Sequence, residues 1–147
     1  MYKHILLAYD GSEPGQKALL DSVDIAQWSH ADLALVAVMP NASSLLVGSM
    51  EGGVFVAPET EREREAYQAI LDEGVAKMAA SGVTAKGVLL VGDTVEEITR
   101  YAREIEADLI VVGHKHLDSW AERWWRGSTS PALIEHAPCS VLVAILR

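Results

Sequence analysis

The stretch Asp108-Leu-Ile-Val-Val-Gly-His-Lys-His-Leu-Asp-Ser-Trp-Ala-Glu-Arg-Trp-Trp-Arg-Gly-Ser-Thr-Ser130 decides how the rest of the chain is read. Its first five residues, Asp108 to Val112, end in an apolar run without alternation, the pattern of a strand buried on both faces. A glycine and a polar loop follow, and then Gly127-Ser-Thr-Ser130 opens a helix-like run. A strand, a loop and a helix start in that order often build a phosphate site, because unpaired backbone N–H groups and the positive end of the helix dipole point at one spot. Three of the four tryptophans and two of the five histidines also lie here.

Working outward, the same unalternating apolar pattern recurs at Ile5–Tyr9, Leu33–Val38, Ala85–Val91 and Ser140–Leu146. Helical spacing separates these runs. Ser12 is a good N-cap with Pro14 in the first turn, and Leu19, Val23 and Ala26 continue a helix to about Trp28. Thr60 and Glu63 read as a capping box ahead of Tyr67, Ile70, Leu71, Val75 and Met78, with Gly82 as the stop. Thr94 and Glu97 read as a second capping box ahead of Ile98, Tyr101, Ala102 and Ile105. Pro131, Leu133, Ile134 and Ala137 outline a short last helix. Residues 41–58 show neither period and read as a long loop. Its Leu45-Leu-Val47 and Val54-Phe-Val56 patches suit either a cover over a site or contact with a partner.

Strands alternating with helices call for a parallel sheet covered on both faces, with right-handed crossovers. Ligands of such sheets bind outside the carboxyl ends of the strands, at the switch in strand order. Three polar features fall at such ends: Asp10-Gly-Ser12, Gly92-Asp-Thr94 and Gly113 onward.

Length and composition narrow the function classes. A chain of 147 residues, half of them apolar, fits one domain over residues 1–147 with a real core. A formal net charge of −9 argues against nucleic acid and anionic membrane as partners. One cysteine, Cys139, allows no internal disulfide and reads as an inert buried thiol. With no secretory leader pattern and no apolar run of membrane-spanning length, a cytoplasmic location is expected. His114 and His116 have the spacing of a metal pair, but nothing completes a ligand set, and a solvated loop is the expectation. Trp120, Trp124 and Trp125 suit the apolar face of a short helix, buried against the sheet edge, the 41–58 loop or a second subunit, or else a partner-binding patch. No Gly-x-Ser-x-Gly elbow, Walker-type lysine or paired catalytic carboxylate is present, so slow ATP hydrolysis is the most that is expected by way of catalysis.

Taken together, Ile5-Leu-Leu-Ala-Tyr-Asp-Gly-Ser12, Gly92-Asp-Thr-Val-Glu-Glu-Ile98, Ala107-Asp-Leu-Ile-Val-Val-Gly113, Gly127-Ser128 and His136-Ala-Pro-Cys-Ser-Val-Leu-Val143 resemble the universal stress protein family over nearly the whole chain. The resemblance implies an open five-stranded sheet in the order 3-2-1-4-5. It also implies a homodimer formed through the last strand, here 140–146. That fits the need of an apolar edge strand to be covered.

The resemblance further implies an adenine nucleotide, ATP or AMP, with any divalent cation held through the phosphates. The implied contacts are Ala8, Tyr9, Asp10 and Val38, and then Gly113, His114, His116, Gly127, Ser128, Thr129 and Ser130. Asp10 would touch the nucleoside, or else serve only as a turn residue. Ser128 and Thr129 would donate to phosphate, or else cap the helix. Nucleotide binders of the family carry Gly, two residues, Gly, nine residues, then Gly and Ser or Thr. Here Gly113, Gly127 and Ser128 match the ends, His116 stands where the middle glycine belongs, and the second interval is one residue longer. The expected function is a nucleotide-binding dimeric regulator. The alternative is a dimeric interaction module without nucleotide.

Overall fold

The computed structural model describes residues 1–40, 57–115 and 129–146, the side chains of 57–60, 115, 129 and 130 excepted. The described elements alternate as β1 (His4–Ala8), α1 (Glu13–Ser29), β2 (Asp32–Met39), α2 (Ala57–Ala80), β3 (Ala85–Val91), α3 (Thr94–Glu104), β4 (Leu109–Lys115), α4 (Thr129–His136) and β5 (Ser140–Leu146). The five strands form one sheet in the order β3-β2-β1-β4-β5, every pairing parallel, which is the order the family resemblance implied.

The unalternating strands have the environment their composition calls for. Ile5, Leu6 and Leu7 of β1, the central strand, are fully buried. Alternate residues feed two separate cores. Ile5, Leu7 and Tyr9 pack with Ala18, Leu19 and Val23 of α1 and with Leu71 and Met78 of α2 on one face. Leu6 packs with Ile98, Tyr101 and Ala102 of α3 and with Leu133 of α4 on the other.

Helix α2 lies directly against the sheet at two glycines. A Cβ added to its Gly74 would stand 2.6 Å from Leu35 Cδ2 and 2.9 Å from Tyr9 Cε2. One added to Gly87 of β3 would stand 2.9 Å from Val75 Cγ2 of the same helix. Glycine in both surfaces is what lets helix and sheet touch.

Three boundaries differ from expectation. Helix α2 starts at Ala57, so Thr60 lies inside it and not at its N-cap position. Pro58 causes no conflict in the first turn, where its missing N–H has no helical partner to lose. Helix α3 is capped by Asp93, whose carboxylate accepts from Glu96 N at 3.0 Å, and not by Thr94. Glu97 instead pairs with Arg100. Strand β4 continues through Gly113 and His114 to Lys115 because its pairing with β5 continues, up to Lys115 opposite Leu146. Cys139 is half-buried, and burial, with Asp108 adding to it, pushes its thiol up. The Trp120, Trp124 and Trp125 cluster and the loop up to residue 56 lie outside the described residues.

Candidate functional site

A cleft of about 420 Å³ opens at the carboxyl ends of β1, β2 and β4, a size within the range of small-molecule sites. The chain passes from β1 toward β2 on one side, and β4 sits on the other side of β1, so this is the switch point of the sheet. Strand alternation sets the cleft's character. Ala8, Val36, Val38 and Val112 belong to the α3–α4 face and line it together with Ile98 of α3. The polar groups, Asp10, Ser12, Thr94 and His114, come from the strand ends and the first turns of helices. An apolar slot with a polar rim suits a flat heterocycle joined to a hydroxyl-rich group.

The turn after β1 is built to hold one carboxylate in place. Gly11 takes a φ of +78°, open to glycine at no cost, and so turns the chain sharply back. Asp10 Oδ1 accepts from Ser12 N at 3.0 Å and from the Ser12 hydroxyl. Ser12 Oγ in turn accepts from Gly15 N at 3.2 Å, capping α1. Gly15 has no Cβ because one would stand 2.7 Å from Asp10 Oδ1. Asp10 Oδ2 takes no hydrogen bond from any described residue. One oxygen of Asp10 thus organises the turn, as the turn reading expects, and the residue lines the cleft.

Gly113 lines the cleft, but its lack of a side chain has another cause. A Cβ there would fall on the Pro14 carbonyl and 2.7 Å from Gly15 N. The β4 backbone and the start of α1 are in contact, and only glycine fits between them. Its neighbour His114 faces the opposite side of the sheet, is half-buried and lines the cleft.

Tyr9 also borders the cleft, yet its ring is only 3% exposed and belongs to the core on the α1–α2 face. Its hydroxyl accepts from Gln16 Nε2, and Gln16 Oε1 accepts from Lys77 Nζ at 2.8 Å. Lys77 pairs with Glu73 at 2.8 Å. The chain ties the floor of the cleft to the α1–α2 seam. Burial raises the Tyr9 phenol above its ordinary value, Lys77 opposing the rise and Glu73 adding to it.

Of the residues singled out from sequence, Ala8, Tyr9, Asp10, Val38, Gly113 and His114 converge on this one cleft. His116, Gly127 and Ser128 lie outside the described residues, while Thr129 and Ser130 open α4. Sequence reading passed over Ser12, Val36, Pro40, Tyr67, Thr94 and Ile98 as lining residues. Ser12 and Thr94 carried a signal, since both sit in polar strand-end motifs. Tyr67 and Ile98 carried none, being indistinguishable from other members of a helix's apolar stripe. Among the described residues no three His, Cys, Asp or Glu side chains gather as a metal site, and no helix is long and apolar enough to cross a membrane.

Comparison with known proteins agrees with this architecture. The family model described as "Universal stress protein family" matches residues 1–144. A universal stress protein of Staphylococcus haemolyticus is 35% identical over 145 residues, covering 97% of this chain and 84% of the relative. The crystal structure of a protein of the same family from Burkholderia pseudomallei is 30% identical, with a TM-score of 0.76 and coverage of 97% of this chain and 95% of that one. A universal stress protein solved in complex with cAMP shares the fold, with 23% identity, a TM-score of 0.72 and coverage of 99% and 98%.

Proposed function

Because the chain belongs to the universal stress protein family, we propose that its switch-point cleft binds an adenine nucleotide, ATP or AMP, and that the protein acts as a dimeric regulatory domain. One observation carries the reading. A carboxylate oxygen without a partner among the described residues stands at the rim of an apolar slot, where a base and its ribose would be read together. Ala8, Val36, Val38 and Ile98 would bury the base, and Asp10 Oδ2 would accept from ribose hydroxyls. His114 and Thr94 would lie toward the phosphates, through which any divalent cation would be held. The cAMP-bound relative supports a nucleotide as the class of ligand.

The dimer would form through strand 140–146. As the sheet edge, β5 leaves one row of backbone groups unpaired, and Leu142 and Ile145 stay 36% and 45% exposed. Ile145→Lys should convert a dimer to a monomer in light scattering, and an unchanged mass would remove this strand as the interface.

The ligand test is direct. The purified protein is denatured and the released small molecules identified, and fresh protein is titrated with ATP, AMP and cyclic AMP. Release or binding of one of them is expected. No released nucleotide and no binding at millimolar concentration would refute the reading and favour the interaction module.

A further inference from the structure

We propose that Tyr67 is a ligand-contacting residue, its ring closing the cleft on the α2 side over the bound nucleoside. The proposal rests on the nucleotide reading and deepens it. Helix α2 is firmly held. Gly74 seats it on Tyr9 and Leu35, and Lys77 Nζ reaches Gln16 Oε1 at 2.8 Å. At the other end, Ile70 Cγ2 lies 3.2 Å from where a Gly11 Cβ would be, so the helix abuts the turn that carries Asp10.

Tyr67 stands three residues before Ile70, on the same helix face. Helical side chains lean toward the N-terminus of their helix. As the crossover between parallel neighbours β2 and β3, α2 runs back against the strands, so its N-terminal part lies at their carboxyl ends. Tyr67 therefore reaches past the sheet to the cleft, which it lines together with Pro40 and Asp10.

Its surroundings fit a contact role. The ring is half-buried and packs partly on the α1–α2 core, which fixes it. Its hydroxyl makes no hydrogen bond with any described residue. The other ring at the cleft, Tyr9, is buried and tied to Gln16. Among the described residues, Tyr67 alone offers the cleft an aromatic surface that is not already covered. Stacking of a base on such a ring changes affinity by about ten- to a hundred-fold when the ring is lost.

The test uses the full chain, with adenosine and AMP as probes in calorimetric titrations of wild type, Tyr67→Phe and Tyr67→Leu. Thermal unfolding without ligand is run beside them. Tyr67→Phe should bind within about twofold of wild type, and Tyr67→Leu should lose about ten- to a hundred-fold for both probes alike, because the ring meets the nucleoside and not the phosphate. A wild type that binds neither probe overturns the nucleotide reading and this inference with it. A wild type that binds, beside a Tyr67→Leu that binds equally well, overturns the inference alone. A second measurement does not depend on the variants folding: nitration of Tyr67 by tetranitromethane, followed by mass spectrometry, should slow in saturating AMP. An unchanged nitration rate in protein that has bound AMP refutes the contact.

Discussion

Replacing Gly113 by alanine should destabilise the fold before it affects any ligand. The added Cβ meets the Pro14 carbonyl and comes within 2.7 Å of Gly15 N, so both neighbours are backbone and no rotamer change relieves the clash. The start of α1 would have to move away from β4. Overpacking typically costs 1–3 kcal/mol, and backbone-to-backbone crowding belongs at the top of that range, about 3 kcal/mol. Displacing the turn would also weaken the Ser12 cap, which is worth about 1 kcal/mol. At about 2–4 °C per kcal/mol for a domain of this length, the two losses together, about 4 kcal/mol, should lower the unfolding midpoint followed by circular dichroism by roughly 8–16 °C. A midpoint within about 2 °C of wild type would refute the packing argument. If, in addition, nucleotide binding were lost at unchanged stability, Gly113 would be a glycine for the ligand's sake and not for α1's.

Gly74→Ala gains about 1 kcal/mol of helix propensity but drives a Cβ to 2.6 Å from Leu35 Cδ2, so urea unfolding should show a net loss of about 1 kcal/mol; a gain would mean the seam is looser than described. The buried Tyr9 phenol has its pKa raised by desolvation, so in the window above about 10 the unfolded chain loses its phenolic proton first and stability falls as pH rises toward the folded value. Tyr9→Phe should flatten that alkaline decline relative to wild type, and identical pH profiles would show the phenol is not involved. Asp10→Asn keeps an oxygen for Ser12 but removes the charge, and should weaken AMP binding about ten-fold or more in calorimetry while leaving the unfolding midpoint nearly unchanged; equal affinity would take Asp10 out of the site.

The features that were legible in sequence share a cause: the signal was local. Ala85–Val91 and Ser140–Leu146 are apolar runs whose ends coincide with the observed strands. The turn after β1 could be read because Asp10, Gly11 and Ser12 each have a turn or capping chemistry of their own. Gly113 and His114 read as loop because polar or small residues rarely mark strand, yet β5 beside them extends the ladder to Lys115, and that neighbour is not visible locally. The cap of α3 falls at Asp93, one residue before the expected Thr94, because both are competent caps and only the backbone path decides which side chain reaches Glu96 N. Tyr67 reads as a member of a helix stripe and is one, but whether a stripe residue lies over the sheet or beyond its edge depends on where the helix docks. The glycines at 74 and 87 set that docking through contacts distant in sequence.

The placement of β1 has a consequence for synthesis. It precedes the other four strands of the sheet in the chain and is the central one, flanked by β2 on one side and β4 on the other, with Ile5 opposite both Leu33 and Leu109. The first neighbour leaves the ribosome soon after β1. The second emerges only after roughly a hundred more residues, about 5–20 s later at ordinary elongation rates. For that interval the nascent half-sheet carries an open, wholly apolar margin at its middle, the kind of edge that invites pairing with another chain. A cell making this protein quickly would therefore rely on holding that margin apart until β4 arrives.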